Sequence, residues 1–176
     1  RTIDPQSRIN ENRPLPLEAN QLQALGWQDI AGGTASLEDL IAQLPLEDLA
    51  RLCCGEGMNS PKVTAGTASA FGGLTDSLQA RGIPVGCCAD GPSGIRMDSG
   101  ELASSLPIGT LMACTWNLPL IEQLHRLEGE ELLANRIDCW LAPGMNIHRN
   151  PLCGRNFEYF SEDPLLTGMM ACAVIR

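Results

Sequence analysis

The chain has 176 residues, with 12 Lys and Arg against 21 Asp and Glu, which gives a formal net charge of −9. Lys62 is the one lysine, and because binding to phosphates requires clustered basic residues, the composition argues against a nucleic-acid partner. No apolar run approaches the ~20 residues that a membrane-spanning helix needs, so a membrane protein is excluded. A hydrophobic fraction of 44% with 19% charged residues is typical of a globular domain or of part of one.

The eight cysteines show no spacing that is typical of a disulfide framework or a zinc site. Two pairs are adjacent in the sequence, Cys53 with Cys54 and Cys87 with Cys88, and neighbouring cysteines form a bridge only with strain. No C-x-x-C pair occurs, so we expect neither a bound metal nor a disulfide scaffold. We interpret the cysteines as small, reduced residues of the core, which favours a reducing, cytoplasmic location.

Residues 1–33 are polar and are interrupted by prolines and glycines. Helical spacing within them is limited to residues 18–25. We therefore predict a linker or edge segment over 1–33 and a main domain over 34–176. The chain does not begin with Met, and its last residues continue an apolar helical pattern without a stop signal, so we expect it to be part of a longer protein.

Two helices are predicted after residue 34. Ser36 and Asp39 have the spacing of a capping box, and the apolar residues that follow recur at helical intervals. Pro45 begins a second helix, in the first turn, where proline is tolerated. The inner face of this second helix is predicted to consist of Leu46, Leu49, Ala50, Leu52 and Cys53. Residues 55–73 are rich in small residues without a period and are predicted to form an irregular loop.

Short apolar strands alternate with helices in the rest of the chain. Strands are predicted over 83–89, 111–115 and 137–142, and helices over 75–81, after Asn117 and from Asp163 onward. This order indicates βαβ units and a parallel sheet, either a barrel or an open doubly wound sheet. No glycine-rich nucleotide motif follows a strand, so we expect no cofactor and favour the barrel.

A first group of polar residues follows the strand 83–89. The segment 90–96 reads DGPSGIR, so that Asp90 and Arg96 flank a turn. One interpretation is a turn in which Asp90 binds its own backbone. The other is recognition of sugar hydroxyls, which both donate and accept hydrogen bonds. In a barrel, the loops that begin at Asp90 and Pro143 should lie at the same edge of the sheet, where ligands bind.

A second group lies in residues 148–164, which contain three of the seven aromatic residues of the chain. The simpler interpretation is a loop held by pairing of Arg155 with Glu158. The alternative is a polar binding wall in which Arg155 is a fixed donor oriented by Glu158. His148 is interpreted as a hydrogen-bonding support rather than a general base. His125, on a predicted helix, is expected at the surface or at an interface.

These segments resemble the N-terminal barrel domain of glycoside hydrolase family 3, the β-glucosidase family. The resemblance extends from residue 37 to residue 176 and is most specific in 154–164, which reads GRNFEYFSEDP. The segments DGPSGIR at 90–96, LAPG at 141–144 and ACTWN at 113–117, with Leu106, Pro107, Gly129 and Glu130, fit the same pattern. The implied fold is a partial (β/α)8 barrel, and the context of residues 156–159 favours the β-glucosidase branch over the N-acetylglucosaminidase branch.

The resemblance implies retaining hydrolysis of a β-linked, non-reducing-end sugar by two carboxylates. The family's nucleophile, in a Ser-Asp-Trp-like context, and a sugar-binding Lys-His pair have no counterpart in this chain, and the acid/base group belongs to a sandwich domain. We therefore expect no catalytic residue here, and no activity of the chain by itself. The implied sugar-binding residues are Asp90, Arg96, Leu141 and Arg155, with Glu158 as the acidic partner of Arg155.

Two questions stay open at the level of sequence. Residues 1–33 differ from the start of a secreted family member and are interpreted as a joint from a preceding domain, as in relatives whose sandwich domain precedes the barrel; this agrees with an intracellular location. The second question is the class of protein. The alternative to an enzyme that binds a β-glycoside is a non-catalytic carbohydrate-binding or scaffold module that has the sugar-contacting residues but lacks the nucleophile.

Overall fold

Helices dominate the structure, a computed structural model that describes residues 4–11, 13, 17–18 and 23–176. In this part of the chain no helix combines the length and the apolar character that crossing a membrane requires. The helices are α1 (Pro5–Glu11), α2 (Trp27–Ala31), α3 (Leu37–Ala42), α4 (Leu46–Cys54), α5 (Asp76–Ala80), α6 (Gly109–Ala113), α7 (Leu118–Ala134) and α8 (Pro164–Ile175). The strands are β1 (Ser69–Gly72), β2 (Val85–Asp90) and β3 (Cys139–Leu141), and a 3-10 turn covers Asn156–Glu158.

The three strands form one sheet in the order β1-β2-β3. Strand β1 is antiparallel to β2, whereas β2 and β3 are parallel, with Cys88 opposite Cys139 and Asp90 opposite Leu141. Helices α6 and α7 lie in the crossover between the parallel strands, which makes a βαβ unit. The structure thus confirms that the loops after Asp90 and Leu141 leave the sheet at the same edge, and its fold matches part of a (β/α)8 barrel domain.

Side-chain caps begin the helices at the residues that the sequence indicated. The Ser36 hydroxyl accepts a hydrogen bond from the Asp39 backbone N–H at 3.1 Å, and Asn117 Oδ1 accepts one from the Leu120 N–H at 3.1 Å. Asp163 Oδ1 does the same for the Leu165 N–H at 2.8 Å. These caps satisfy N–H groups that have no partner within the helix, and the predicted starts of α3, α7 and α8 are confirmed.

Two clusters of apolar side chains form the core. The first lies between α7 and α8 and includes Ile121, Phe160, Met170 and Val174. The second lies behind the sheet and the loop after β2, and it contains Cys87, Ala89, Ile95 and Ile137. Together they fix α7 against the parallel strands, and therefore fix the ends of those strands.

The strand predicted over 111–115 is wrong, because this segment belongs to helix α6. Backbone hydrogen bonds join the Met112 N–H to the Ile108 carbonyl at 3.0 Å and the Cys114 N–H to the Thr110 carbonyl at 3.2 Å. An apolar run of five residues does not distinguish a buried strand from a buried helical turn. Here packing against α8 favours the helix, which buries Met112 and Ala113.

The irregular loop predicted over 55–73 contains strand β1. Its backbone pairs with β2 on one side, and Ala70 also forms a bridge with Glu56. The aromatic ring of Phe71 lies directly over Gly86, where a Cβ atom would collide with it. The small residues of this segment give no strand signal, because the strand depends on pairing with the distant β2 and on the contact of Phe71 with Gly86.

Burial also differs from expectation for several residues. Among the eight unpaired cysteines only Cys87 and Cys88 are buried, so the interpretation of all eight as core residues is wrong for the other six. The predicted inner face of α4 is wrong for Leu46, which is 82% exposed, and for Ala50 and Cys53, which are exposed as well. Helix α4 instead turns the buried Asp48 toward the Thr75 hydroxyl, which donates a 2.6 Å hydrogen bond to it.

The segment before α3 contacts the rest of the fold through Arg81. The Arg81 guanidinium donates to the Leu25 carbonyl at 2.8 Å, and the Trp27 N–H donates to the Arg81 carbonyl at 2.7 Å. Leu25 is buried, whereas α1 is exposed along its length. Of the helix predicted over 18–25, residues 19–22 lie outside the described residues, and residues 23–25 are not helical. The boundary at residue 33 stays a prediction.

We predict that the 176-residue chain by itself aggregates or forms a loose globule. Large apolar side chains are exposed on several elements, among them Leu102 (97%), Leu133 (78%) and Ile175 (70%), and strand β3 pairs with a neighbour on one side only in the described sheet. Exposed apolar surface and an open strand edge favour association. Light scattering and calorimetry of the purified chain test this, and a sharp, reversible, cooperative melt of a monomer would contradict it.

Candidate functional site

Asp90 is the last residue of β2 and begins a tight turn. Its Oδ1 accepts a hydrogen bond from the Gly91 N–H at 2.9 Å, and its carbonyl accepts one from the Arg96 N–H at 2.9 Å. Gly91 has φ of 127°, and a Cβ atom there would collide with the Gly94 carbonyl, so the turn requires glycine. Oδ2 of Asp90 makes no hydrogen bond to the described residues, so this oxygen has its acceptor capacity left for a ligand.

The structure places Leu141 beside this turn. Leu141 is paired with Asp90 across the parallel strands, and its side chain is 47% exposed. An apolar side chain next to a carboxylate suits a ligand with one apolar face and a polar edge. Sugars have this combination, because their ring C–H groups form a face and their hydroxyls form the rim.

Arg155 and Glu158 form an ion pair in the loop that follows β3. Arg155 Nε donates to Glu158 Oε1. The 3-10 turn Asn156–Glu158 produces this contact by placing residues three apart on one side. The Glu158 side chain is 7% exposed, whereas that of Arg155 is 72% exposed. The buried acid therefore fixes an arginine whose remaining donors face solvent.

Asp90 acts electrostatically on both arginines of the site. The hydrogen bond and the charge of Glu158 raise the pKa of Arg155, and Asp90 adds a smaller increase. The pKa of Arg96 is also raised, mainly by its 3.0 Å hydrogen bond to Asp98 and to a lesser degree by Asp90. The sequence motif at 90–96 does not predict the pairing of Arg96 with Asp98. Each arginine is therefore bound to an acid of its own, Arg96 to Asp98 and Arg155 to Glu158, and both are also influenced by the charge of Asp90.

His148 joins the two ends of the loop that carries Arg155. Its Nε2 lies 2.8 Å from the Asn156 carbonyl oxygen, to which it donates, and its backbone N–H donates to the Ser161 carbonyl at 3.1 Å. The imidazole also lies beside the Tyr159 ring, with 6.2 Å between ring centroids. These contacts fit a support for the loop, which is the role that the sequence suggested.

Helix α6 supports the same loop from behind. The Thr110 hydroxyl lies 2.8 Å from the Tyr159 carbonyl oxygen and 3.2 Å from that of Asn156. Gly109 and Gly144 both approach the Glu158 carbonyl so closely that a Cβ atom on either would lie 2.7 Å from it. No local signal in the sequence marks Thr110 or Gly109, because their contacts with this loop join segments 46 or more residues apart.

His125 is buried, so its expected position at the surface is wrong. It shares one face of α7 with Ile121 and Glu128, and this face packs toward the sheet. The His125 ring centroid lies 6.0 Å from that of Trp140, and Nδ1 lies 2.8 Å from the Ile121 carbonyl oxygen. Burial lowers the pKa of His125, which favours a neutral ring.

Glu128 is a further residue that the sequence did not single out. Its side chain is 1% exposed, and neither carboxyl oxygen has a hydrogen-bond partner. Burial, together with the charge of Glu131, raises the pKa of Glu128 to about 7, against a smaller opposing effect of the Ile95 backbone N–H. The Glu128 carboxyl therefore lies close to the backbone of Ile95, the residue before Arg96.

In the described part of the chain, no group of three or more His, Cys, Asp and Glu side chains is placed to hold a metal ion. The polar residues instead surround the carboxyl ends of two parallel strands. The fold is that of part of an α/β barrel, and barrels of this class generally bind their ligands at the carboxyl ends of the strands.

The chain belongs to glycosyl hydrolase family 3. The family model described as "Glycosyl hydrolase family 3 N terminal domain" matches residues 50–176, which confirms the resemblance carried by the motifs. The beta-glucosidase of Ruminococcus albus is 58% identical over 154 residues, 88% of this chain and 16% of that protein. Beta-glucosidase A of Butyrivibrio fibrisolvens is 43% identical over 150 residues, 84% of this chain and 17% of that protein.

Solved structures agree with this assignment. A beta-glucosidase from Paenibacillus barengoltzii superposes with a TM-score of 0.86 at 58% identity, and the match covers 100% of this chain and 19% of that one. Beta-glucosidase 3B from Thermotoga neapolitana in complex with glucose gives a TM-score of 0.68 at 37% identity, covering 77% of this chain and 20% of that one. The chain thus spans between one sixth and one fifth of the length of these relatives.

We predict that Glu128→Gln alters how stability depends on pH. The folded protein holds the Glu128 proton up to about pH 7, whereas the ordinary pKa is 4.5. The folded state therefore binds more protons between these values, and stability falls as the pH rises through this window, by up to about 3 kcal/mol. Glutamine has no such titration, so the variant should melt at a higher temperature than the wild type at pH 8.

The melting temperature of the intact protein, measured by calorimetry from pH 5 to pH 8, provides the comparison. Glu130→Gln is the matched control, because Glu130 is exposed on the same helix. If Glu128→Gln and Glu130→Gln follow the same pH curve, the Glu128 carboxyl does not titrate as described.

Proposed function

We propose that the protein to which this chain belongs hydrolyses terminal, non-reducing β-D-glucosyl or related β-glycosyl residues by a retaining mechanism with two carboxylates. The single observation that carries the proposal is the pairing of Asp90 with Leu141 at the carboxyl ends of β2 and β3, with the exposed Arg155 held by the buried Glu158 in the loop that follows β3. The beta-glucosidases of Ruminococcus albus and Butyrivibrio fibrisolvens, to which the chain is similar, support the substrate class.

In this proposal the chain supplies residues that bind the sugar. The free Oδ2 of Asp90 accepts hydrogen bonds from the hydroxyls farthest from the scissile bond. Arg155 donates to the same ring, and Arg96, whose backbone N–H donates to the Asp90 carbonyl, adds positive charge to this turn. Leu141 contacts the apolar face of the ring. Because ionised acceptors and donors form stronger hydrogen bonds than neutral ones, this set can bind a neutral sugar tightly and in one orientation.

Glu158 and His148 have positioning roles in this mechanism. Glu158 is buried and bound to Arg155, so the arginine loses little side-chain freedom when the sugar arrives. His148 holds the Asn156 carbonyl and thereby the 3-10 turn from which Glu158 projects. Neither residue touches the sugar in the proposed arrangement, and each keeps the Arg155 guanidinium in place.

The chemical step uses groups in the rest of the barrel and in a sandwich domain, as the family resemblance implies. One carboxylate attacks the anomeric carbon to form a glycosyl-enzyme intermediate, while a second donates a proton to the leaving oxygen and then activates water. We assign no catalytic residue, metal or cofactor to residues 1–176. Their contribution is to hold the sugar where the nucleophile can reach the anomeric carbon.

We predict that Asp90→Asn lowers kcat/KM of the intact enzyme on an aryl β-glucoside by about tenfold to a hundredfold. Asparagine keeps the shape of the side chain but weakens a charge-assisted hydrogen bond that contributes about 1.5–3 kcal/mol. Part of the loss should appear in kcat, because such bonds strengthen as the sugar approaches the transition state.

The control substrate is the corresponding glucoside that lacks the distal hydroxyl contacted by Asp90. On this substrate the wild type and Asp90→Asn should have nearly equal kcat/KM. An equal loss on both substrates would show that Asp90 only holds the Gly91 turn, the simpler of the two interpretations that the sequence allows. No turnover by the wild-type protein on any β-glycoside would instead favour a non-catalytic carbohydrate-binding module.

We also propose a cytoplasmic location for the protein. The support is chemical: all eight cysteines are unpaired and six are exposed, a state that persists in a reducing compartment. Thiol titration in denaturant of protein purified without reductant, followed by mapping of the labelled peptides, should find all eight cysteines of this chain reactive. Disulfide-linked peptides from this region would contradict the proposal.

A further inference from the structure

We propose that Trp140 is a positioning residue for Asp90: its indole N–H holds the Gly91 carbonyl and thereby sets the direction in which the Asp90 carboxylate faces the sugar. This inference rests on the proposed function, in which Asp90 binds the sugar. It concerns a residue on the neighbouring strand that does not itself contact the ligand.

Hydrogen bonds at both the N–H and the carbonyl of Gly91 support this role. Trp140 Nε1 donates to the Gly91 carbonyl at 3.1 Å, and the Gly91 N–H donates to Asp90 Oδ1 at 2.9 Å. The same carbonyl also accepts the Gly94 N–H at 3.2 Å. Gly91 is therefore held at its carbonyl by Trp140 and Gly94 and at its N–H by the carboxylate whose direction matters.

The hydrogen bond to the Gly91 carbonyl matters because of the backbone conformation of Gly91. Gly91 has φ of 127°, in a region where glycine exchanges among several conformations at low cost. A change in the Gly91 backbone would move the N–H that fixes Asp90 Oδ1, and with it Oδ2. The bond from Trp140 selects one of the conformations that glycine allows, so that the acceptor is oriented before the sugar arrives.

Trp140 is suited to this role because its own ring is fixed. Its Cα is paired with that of Ala89, the residue before Asp90, so strand register places the indole next to the turn. The buried His125 lies against the ring at 6.0 Å between centroids and is bound to the Ile121 carbonyl on α7. The half-buried indole also packs against the core cluster between α7 and α8. Its N–H therefore has little freedom to leave the Gly91 carbonyl.

The test compares Trp140→Phe with the wild type in the intact enzyme. Phenylalanine keeps an aromatic ring against His125 but has no N–H. Loss of one hydrogen bond of ordinary strength predicts a fall in kcat/KM on an aryl β-glucoside of about fivefold. On the glucoside that lacks the hydroxyl contacted by Asp90, the fall should be less than about twofold. Trp27→Phe, a half-exposed tryptophan of α2, is the matched control and should leave both values unchanged.

A double-mutant cycle separates positioning from a general loss of structure. In an Asp90→Asn background, Trp140→Phe should have almost no further effect, because the carboxylate that it orients is gone. An equal fall with and without Asp90, or on both substrates, would overturn the inference. Replacement of Trp140 by benzothienylalanine, which keeps the bicyclic shape and lacks the N–H, should reproduce the effect even where the phenylalanine variant folds poorly.

Failure of this inference is distinguishable from failure of the proposed function. If Asp90→Asn shows the hydroxyl-dependent loss and neither Trp140 variant does, Asp90 binds the sugar without help from Trp140. If Asp90→Asn itself shows no hydroxyl dependence, the assignment of Asp90 is wrong and this inference is overturned with it.

Discussion

The parallel pairing of β2 with β3 determines where every polar group of the site lies. Three residue pairs, the last of which joins Asp90 to Leu141, bring the two strand ends to one edge. Side chains alternate between the faces of a strand, so a slip of one residue would turn Asp90 to the opposite face and separate it from the arginines. The core cluster behind the sheet, and the packing of Trp140 against the cluster between α7 and α8, hold this register.

The site is built so that buried groups orient exposed ones. Glu158 is buried and holds Arg155, which is largely exposed, while Trp140 is half-buried and holds the turn that carries Asp90. A ligand that binds here replaces water around Arg155 and Asp90 without having to order their side chains first, which reduces the entropic cost of binding. Residues distant in sequence also support this arrangement, as when the Thr110 hydroxyl donates to the Tyr159 carbonyl.

Local signals in the sequence were sufficient for the starts of α3, α7 and α8 and for two of the strands. They were not sufficient for α1 and α2, which lie in the segment predicted as a linker or edge, or for α6. Ser36, Asn117 and Asp163 cap their helices through contacts within a few residues, and such contacts are readable from sequence. Contacts between distant segments were not readable. The five-residue run of α6 fits a strand equally well, β1 depends on pairing with β2, and the burial of His125 and Glu128 depends on which face of α7 meets the sheet. The motifs identified Asp90 and Arg155 but not Trp140, whose role arises only from its register.

A crystal structure of the intact protein with glucose bound would show whether the edge formed by β2 and β3 holds the sugar. We expect Asp90 Oδ2 to lie within ~3.2 Å of the distal hydroxyls, with Oδ1 still bound to the Gly91 N–H. Arg155 should donate to the same ring, and Leu141 should contact its apolar face. Glucose bound at another place, or glucose at this edge with Asp90 out of contact with it, would show that Asp90 does not bind the sugar.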